Sequence, residues 1–216
     1  DVRETFIAAA KDRFAAEVFS QDLKDPAAVS DVNAWVNERT RGLIPALLDK
    51  IDQDAVLLLL DTLYMDAAWK EPFNPLFSAE LPFYLADGTE VRTTFMSTDH
   101  GVRRVLQTED AEGVLLPYSG GTLGFLAVKP RSGELADLSL NGTTLSAWLG
   151  ALSERESVSV TLPKFTSASE MTLNDALVAM GLGDAFNPGK ADFSGIGRSE
   201  KGNVCIGRVL QKVMMR

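Results

Sequence analysis

Few side chains in this sequence could carry out covalent chemistry. His100 is the only histidine and Cys205 the only cysteine. A catalytic triad would need His100 beside a serine, but residues 98–101 are typical of a turn, so we predict a solvated histidine. Cys205 lies between Val204 and Ile206, where a free cysteine behaves as a small hydrophobic residue. With one histidine and one cysteine there is also no structural zinc site.

Two other patterns could indicate a binding or modification site. Residues 195–197, Gly-Ile-Gly, do not follow a strand and lack the third glycine of a dinucleotide-binding loop. Residues 141–143, Asn-Gly-Thr, form a glycosylation sequon if the chain is secreted by a eukaryote, and otherwise a turn with a helix cap. We therefore predict no cofactor and no catalytic site.

The composition indicates a folded and acidic protein. The chain has 216 residues, 45% of them hydrophobic, and a net charge of -9. A chain of this length can bury roughly 70% of its unfolded surface. The negative charge argues against nucleic acid and against an anionic membrane surface as partners. No apolar run is long enough to cross a membrane, and one cysteine permits no internal disulfide.

The strongest structural signal lies in residues 56–73. Residues 56–60 are continuously apolar, which is typical of a strand covered on both faces. Asp61 interrupts the run, and a carboxylate in a buried strand needs hydrogen-bond partners. Trp69 and Phe73 follow with Pro72 between them, so we predict that the strand ends on an aromatic cluster.

Periodicity and turn signals divide the rest of the chain into helices and short strands. Asp25-Pro26 is typical of a helix start, and Asp87-Gly88 and Gly120-Gly121 of tight turns. The sequence predicts helices over residues 2–15, 25–40, 140–152 and 172–180, the last one capped by Gly181. It predicts strands over residues 17–23, 56–65, 81–85, 91–96, 102–106, 113–118, 123–128, 158–162 and 203–216. This order predicts an α+β fold.

Several of these segments resemble one known family. Residues 56–73 follow the pattern of the central strand in the large sheet of the serpins, which are suicide inhibitors of proteases. Residues 32–36, Val-Asn-Ala-Trp-Val, resemble the helix that crosses that sheet. Residues 160–165 and 191–196 match later family motifs, and residues 204–215 resemble the strand before the reactive loop. The order and spacing of these motifs carry the resemblance along essentially the whole chain.

The resemblance implies a serpin-like α+β fold, with a large mixed β-sheet, covering helices and a second β-rich region. It implies a single core over residues 1–216 that is incomplete at both ends, because the reactive loop and the terminal segments are not in this sequence. The remaining segments of the same serpin would then be partners of this chain. No signal peptide is visible, but the family resemblance implies a secreted or extracellular protein.

By the same resemblance, the protein would not be an enzyme. It would inhibit serine, or possibly cysteine, proteases, because its cleaved loop inserts into the large sheet and carries the bound protease along. The alternative is a serpin-fold protein that does not inhibit, such as a carrier, a chaperone or a storage protein. An unrelated α+β hydrolase is a third interpretation, against which the lack of a nucleophile with a base argues.

The resemblance assigns roles in sheet opening to particular residues, namely Asp61, Thr62, Trp69, Lys164 and Gln211. Asp61 and Gln211 stand where the family usually has asparagine and histidine, at two positions that meet in the region where the sheet opens. Because an amide can donate to a carboxylate, we predict that these two side chains hydrogen-bond, directly or through water.

Overall fold

A computed structural model describes residues 2–197, 199 and 202–215. Its helices and strands occur together along the chain, so the predicted α+β class is confirmed. The chain forms two compact units, Asp1–Tyr64 with Thr166–Arg216, and Met65–Phe165. The single core over residues 1–216 stays a prediction.

The first unit begins with two helices that were expected from the sequence. These are α1 (Glu4–Phe14) and α2 (Ala27–Arg39). Before α2, the Asp25 carboxylate accepts the amide of Ala27 at 2.8 Å, as a residue at a helix start does. After α2, Gly42 takes φ +83°, and its amide donates to the carbonyl of Asn37 at 2.8 Å. A positive φ is why glycine stands at this helix end.

Residues 17–23 form no strand, so this prediction was wrong. The adjacent Val18 and Phe19 would point to opposite sides of a strand, and both are exposed. Glu17 is instead tied to α2, because its carboxylate accepts Trp35 Nε1 at 3.1 Å and pairs with the Arg39 guanidinium. The Trp35 bond, with that of Arg39, lowers the pKa of Glu17 below its usual value.

The last part of the first unit holds a two-stranded antiparallel sheet. It is made of β8 (Ser167–Thr172) and β9 (Leu210–Met215). The sequence predicted a longer final strand over residues 203–216; residue 216 lies outside the described residues, and residues 203–209 join no ladder. β8 was not predicted, because its residues Ser-Ala-Ser-Glu-Met-Thr lack apolar alternation.

Between the two strands the helix predicted over residues 172–180 begins two residues later, continues to residue 186 and is bent. It consists of α4 (Asn174–Leu177), a π-helical turn (Val178–Leu182) and α5 (Gly183–Phe186). Gly181 was expected to cap the helix, and its φ of +103° does break the helical geometry there. The chain then resumes a helical turn instead of leaving the helix.

The second unit contains two sheets. One has the order β1-β2-β7, from β1 (Asn74–Tyr84), β2 (Glu90–Ser97) and β7 (Thr161–Pro163). The other has the order β5-β4-β3-β6, from β3 (Gly101–Gln107), β4 (Ala111–Pro117), β5 (Gly124–Pro130) and β6 (Ser153–Val158). The predicted strand 158–162 is thus divided between the end of β6 and the start of β7.

The turns of the second unit form where the sequence placed them. Gly88 takes φ +81° between β1 and β2, and the Asp87 carboxylate accepts the amide of Thr89 at 2.9 Å. Gly120 and Gly121 take φ +101° and +76° between β4 and β5. These positive φ values suit glycine because it has no Cβ.

Strand β3 lies in the middle of the hydrophobic core of the second unit. Its neighbours Val105 and Leu106 are both buried, although successive strand residues point to opposite faces. Val105 packs in a cluster with Val114 and Leu116. Leu106 packs against Trp148 of helix α3 (Gly142–Ala151). Both faces of this sheet are therefore covered.

Residues 56–65 differ from the prediction in two respects, and the first is that no described residue pairs with them in a strand ladder. Among the described residues, their backbone amides and carbonyls make no hydrogen bond. The predicted burial on both faces was also wrong, since Leu59 is 73% and Leu63 91% exposed. A strand is buried on both faces only when neighbouring strands and covering layers are present.

We predict that residues 1–216 expressed alone aggregate or unfold without a sharp transition. Unpaired strand edges bearing exposed leucines are templates for association with other chains. Size-exclusion chromatography and thermal unfolding followed by circular dichroism test this, with the complete protein as the control. A monomer that unfolds in a sharp cooperative transition would contradict the prediction.

Candidate functional site

The predicted site residues fall in both units. Asp61, Thr62 and Gln211 belong to the first unit, and Trp69 and Lys164 to the second.

Residues 59–65 have the alternation of a strand although they lack its ladder. Leu60, Thr62 and Tyr64 are half-buried, and the residues between them are exposed. On the half-buried side, the Arg41 guanidinium lies 4.7 Å from the centre of the Tyr64 ring. This segment is thus held by side chains on one face, while both backbone edges remain without described partners.

Asp61 and Gln211 both lie on exposed faces of their segments. Leu59 and Leu63, which lie two residues before and two residues after Asp61 on the same face, are exposed as well. Gln211 lies opposite Met171 in the β8–β9 ladder, and its own side chain is exposed. Neither side chain hydrogen-bonds to any residue in the part of the chain that the structure describes. The predicted direct hydrogen bond between them is therefore absent from the structure, and its water-mediated form stays a prediction.

Lys212 is a candidate functional residue that the sequence reading missed. Its side chain points to the opposite face of β9 from Gln211, where Nζ donates to the carbonyl of Ala46 at 2.9 Å. The same Nζ pairs with the Glu170 carboxylate at 3.1 Å. The signal was available in the alternation of β9, because a lysine at the inward position of an apolar strand must reach an acceptor.

A second polar side chain, that of Asn33, holds residues 44–50, the segment that contains Ala46. The Oδ1 atom of Asn33, on α2, accepts the amides of Leu47 and Leu48 at 2.8 and 2.9 Å, and its Nδ2 donates to the carbonyl of Leu48 at 2.7 Å. Arg208 adds a bond of 3.3 Å to the carbonyl of Lys50. Residues 44–50 are therefore fastened between α2 and the β9 region.

Trp69 is packed among three aromatic rings. Its ring stacks on Tyr118 with centroids 4.7 Å apart and meets Phe73 and Phe125 edge-on at 5.7 and 6.0 Å. Backbone bonds support the stack, because the amide of Lys70 donates to Pro117 and the amide of Ser119 donates to Ala68, at 2.9 and 2.8 Å. The aromatic cluster predicted at Trp69 and Phe73 is confirmed.

Lys164 is fixed by its backbone. Its amide donates to the carbonyl of Thr94 at 2.8 Å, and its carbonyl accepts the Thr93 hydroxyl at 3.2 Å. Its exposed ammonium group pairs with no carboxylate among the described residues. The backbone position is thus defined, and the side chain is available for a partner.

The other reactive groups take no part in a catalytic arrangement within the described residues. His100 is exposed, and its Nδ1 lies 3.0 Å from the carbonyl of Ser157. Cys205 is half-buried. In residues 2–197, 199 and 202–215, no group of His, Cys, Asp or Glu is placed to hold a metal ion. No described helix has the length and hydrophobicity to span a membrane.

Comparison with known proteins gives one family. The family model described as "Serpin (serine protease inhibitor)" matches residues 1–216. A plasma serine protease inhibitor from Homo sapiens is 28% identical over 219 residues, which cover 100% of this chain and 53% of that protein. An uncharacterized serpin-like protein from Methanosarcina acetivorans is 32% identical over 203 residues, which cover 90% of this chain and 47% of that protein.

A similar solved structure is the thermophilic serpin tengpin in the latent state, with a TM-score of 0.84 at 27% identity. The match covers 99% of this chain and 58% of tengpin. The chain thus spans about half the length of the curated relatives that it matches. Because the family model covers the full sequence and the solved fold agrees with it, this chain belongs to the serpin family.

Proposed function

We propose that the complete protein inhibits serine proteases, or cysteine proteases, by inserting its cleaved reactive loop into the large β-sheet. The observation that carries this proposal is the unpaired backbone of residues 56–65, beside the family membership of the chain. Residues 59–65 already alternate as a strand does, so a further strand could bind along them without rebuilding their side-chain packing.

Strand addition at this place is physically favourable. Each new backbone hydrogen bond contributes about 0.5–1.5 kcal/mol, and an added strand also covers apolar surface. β9 offers a second edge, because the described structure pairs it only with β8. A sheet with such edges gains free energy when a strand enters, and this gain can be used to distort a bound protease.

The predicted site residues fit roles in such an opening. We assign Asp61, Thr62 and Gln211 to the strands that separate, and Trp69 and Lys164 to the end where insertion begins. Lys212 would hold residues 44–50 against β9 until the sheet opens, because its ammonium group connects β9 with the carbonyl of Ala46.

The exposed apolar side chains favour the remaining segments of the same serpin as partners. These apolar side chains lie on the same exposed faces as Asp61 and Gln211. They include Leu59, Leu63, Met65, Val213 and Met215. Apolar residues in this number are normally covered. We also propose that the protein is secreted, as the name of its plasma relative suggests for that protein.

We predict that the complete protein forms a covalent complex with a matching protease that survives boiling in detergent. Cleavage of its loop is expected to raise the melting temperature, because insertion adds hydrogen bonds and buries apolar surface. Gel electrophoresis after incubation with a panel of serine and cysteine proteases, and calorimetry of the loop-cleaved protein, measure both effects. No trapped protease and an unchanged melting temperature would instead favour a carrier, chaperone or storage function.

We predict that Asp61→Leu destabilises the closed sheet, whereas Asp61→Asn does not. Leucine removes the acceptor that the Gln211 amide is expected to reach through water, at a cost of about 1–3 kcal/mol. Asparagine, the residue usual in the family, keeps an acceptor for that amide. Denaturant unfolding of the complete protein measures the change, and the rate of spontaneous loss of inhibition measures sheet opening. Equal stability of the two variants would contradict the predicted hydrogen bond.

A further inference from the structure

Arg103 is a buried cation in the second unit that is not among the predicted site residues. The side chain of Arg103, on β3, is only 7% exposed. Its guanidinium lies 2.6 Å from the Glu71 carboxylate and donates to the carbonyl of Val102 at 3.0 Å. A buried guanidinium needs such partners, since an unpaired charge in the interior is strongly destabilising.

The guanidinium of Arg103 also lies close to the backbone of Gly101. A Cβ added to Gly101 would lie 2.5 Å from Nη1 of Arg103, closer than real Cβ contacts come. Gly101 does not have a positive φ, so glycine is not required here for the backbone conformation. Its lack of a side chain leaves room for the guanidinium of Arg103. The guanidinium therefore packs directly over the main chain at the start of β3.

Glu71 connects this fixed charge to Trp69. It lies two residues after Trp69 in the sequence, and its side chain is 57% exposed although its partner is buried. On the other side, Trp69 is held by the bonds of Lys70 to Pro117 and of Ser119 to Ala68. Residues 68–71 are thus attached to the end of β4 and, through the ion pair, to the start of β3.

We propose that Arg103, acting through Glu71, is a positioning residue for Trp69 and holds its indole against Tyr118. The functional consequence rests on the proposed inhibitory function, in which insertion begins near Trp69. With the ion pair intact, Trp69 keeps one position while the loop enters. Without it, the segment loosens, entry slows, and more of the cleaved inhibitor is released as product before the protease is trapped.

The test uses the complete protein labelled with 5-fluorotryptophan, in which each tryptophan gives its own fluorine resonance; three of these tryptophans, Trp35, Trp69 and Trp148, belong to residues 1–216. The Trp69 resonance is assigned from its loss in Trp69→Phe. Glu71→Gln removes the exposed half of the pair and avoids the unfolding risk of emptying the Arg103 site. Arg103→Lys keeps the charge and serves as the conservative variant. Arg104→Gln is the matched control, since Arg104 is exposed on the same strand and forms no ion pair among the described residues.

We expect Glu71→Gln to shift or broaden the Trp69 resonance and to leave those of Trp35 and Trp148 unchanged. We expect the number of inhibitor molecules consumed for each trapped protease to rise roughly threefold, as the loss of a partly exposed ion pair predicts. Arg103→Lys should recover part of both effects, and Arg104→Gln should change neither.

An unmoved Trp69 resonance in Glu71→Gln overturns the positioning role. A moved resonance with unchanged inhibitor consumption overturns its functional consequence. If the unaltered protein traps no protease, the proposed inhibitory function fails, and the fluorine spectrum alone then decides whether Arg103 positions Trp69.

Discussion

The backbone of residues 56–65 carries polar groups that the described chain does not pair. Each peptide unit has a donor and an acceptor, and folded proteins rarely leave either without a partner. From residue 59 to residue 65 the side chains already alternate as in a strand, and Arg41 covers Tyr64 on the inward face. The hydrogen-bond deficit therefore lies only at the two edges, and the proposed function depends on what binds there.

Around this segment the first unit is held together by polar contacts more than by a deep core. Asn33 binds the backbone of Leu47 and Leu48, and Lys212 binds that of Ala46. Such bonds each contribute modestly to stability and can be broken one at a time. An attachment of this kind suits an element that must yield when a sheet opens, because no large apolar surface has to be separated.

The second unit contrasts with the first. Its central strand β3 is covered on both faces, and the aromatic rings around Trp69 add to the same core. The Arg103–Glu71 ion pair lies at the start of this strand. A rigid sheet of this kind can hold Trp69 at a defined position, which is what the inferred positioning role requires.

The sequence alone determined the local features of the protein. It identified α1, α2 and the strands β1 to β5, because amphipathic periods, Asp25-Pro26 and the glycine turns are effects of neighbouring residues. It also identified the aromatic cluster at Trp69 and the serpin family, since ordered motifs persist through the whole chain. The roles assigned to Asp61, Thr62, Lys164 and Gln211 remain predictions.

Tertiary structure decided what depends on distant partners. Residues 56–65 have the composition of a buried strand, but burial requires neighbours, and the described chain provides none on either edge. β6 and β8 are polar and formed only because a partner strand supplied their hydrogen bonds. The contacts of Lys212 with Ala46 and of Arg103 with Glu71 join residues far apart in sequence. The spacing along the chain does not identify either acceptor, because only folding brings those charges to their acceptors.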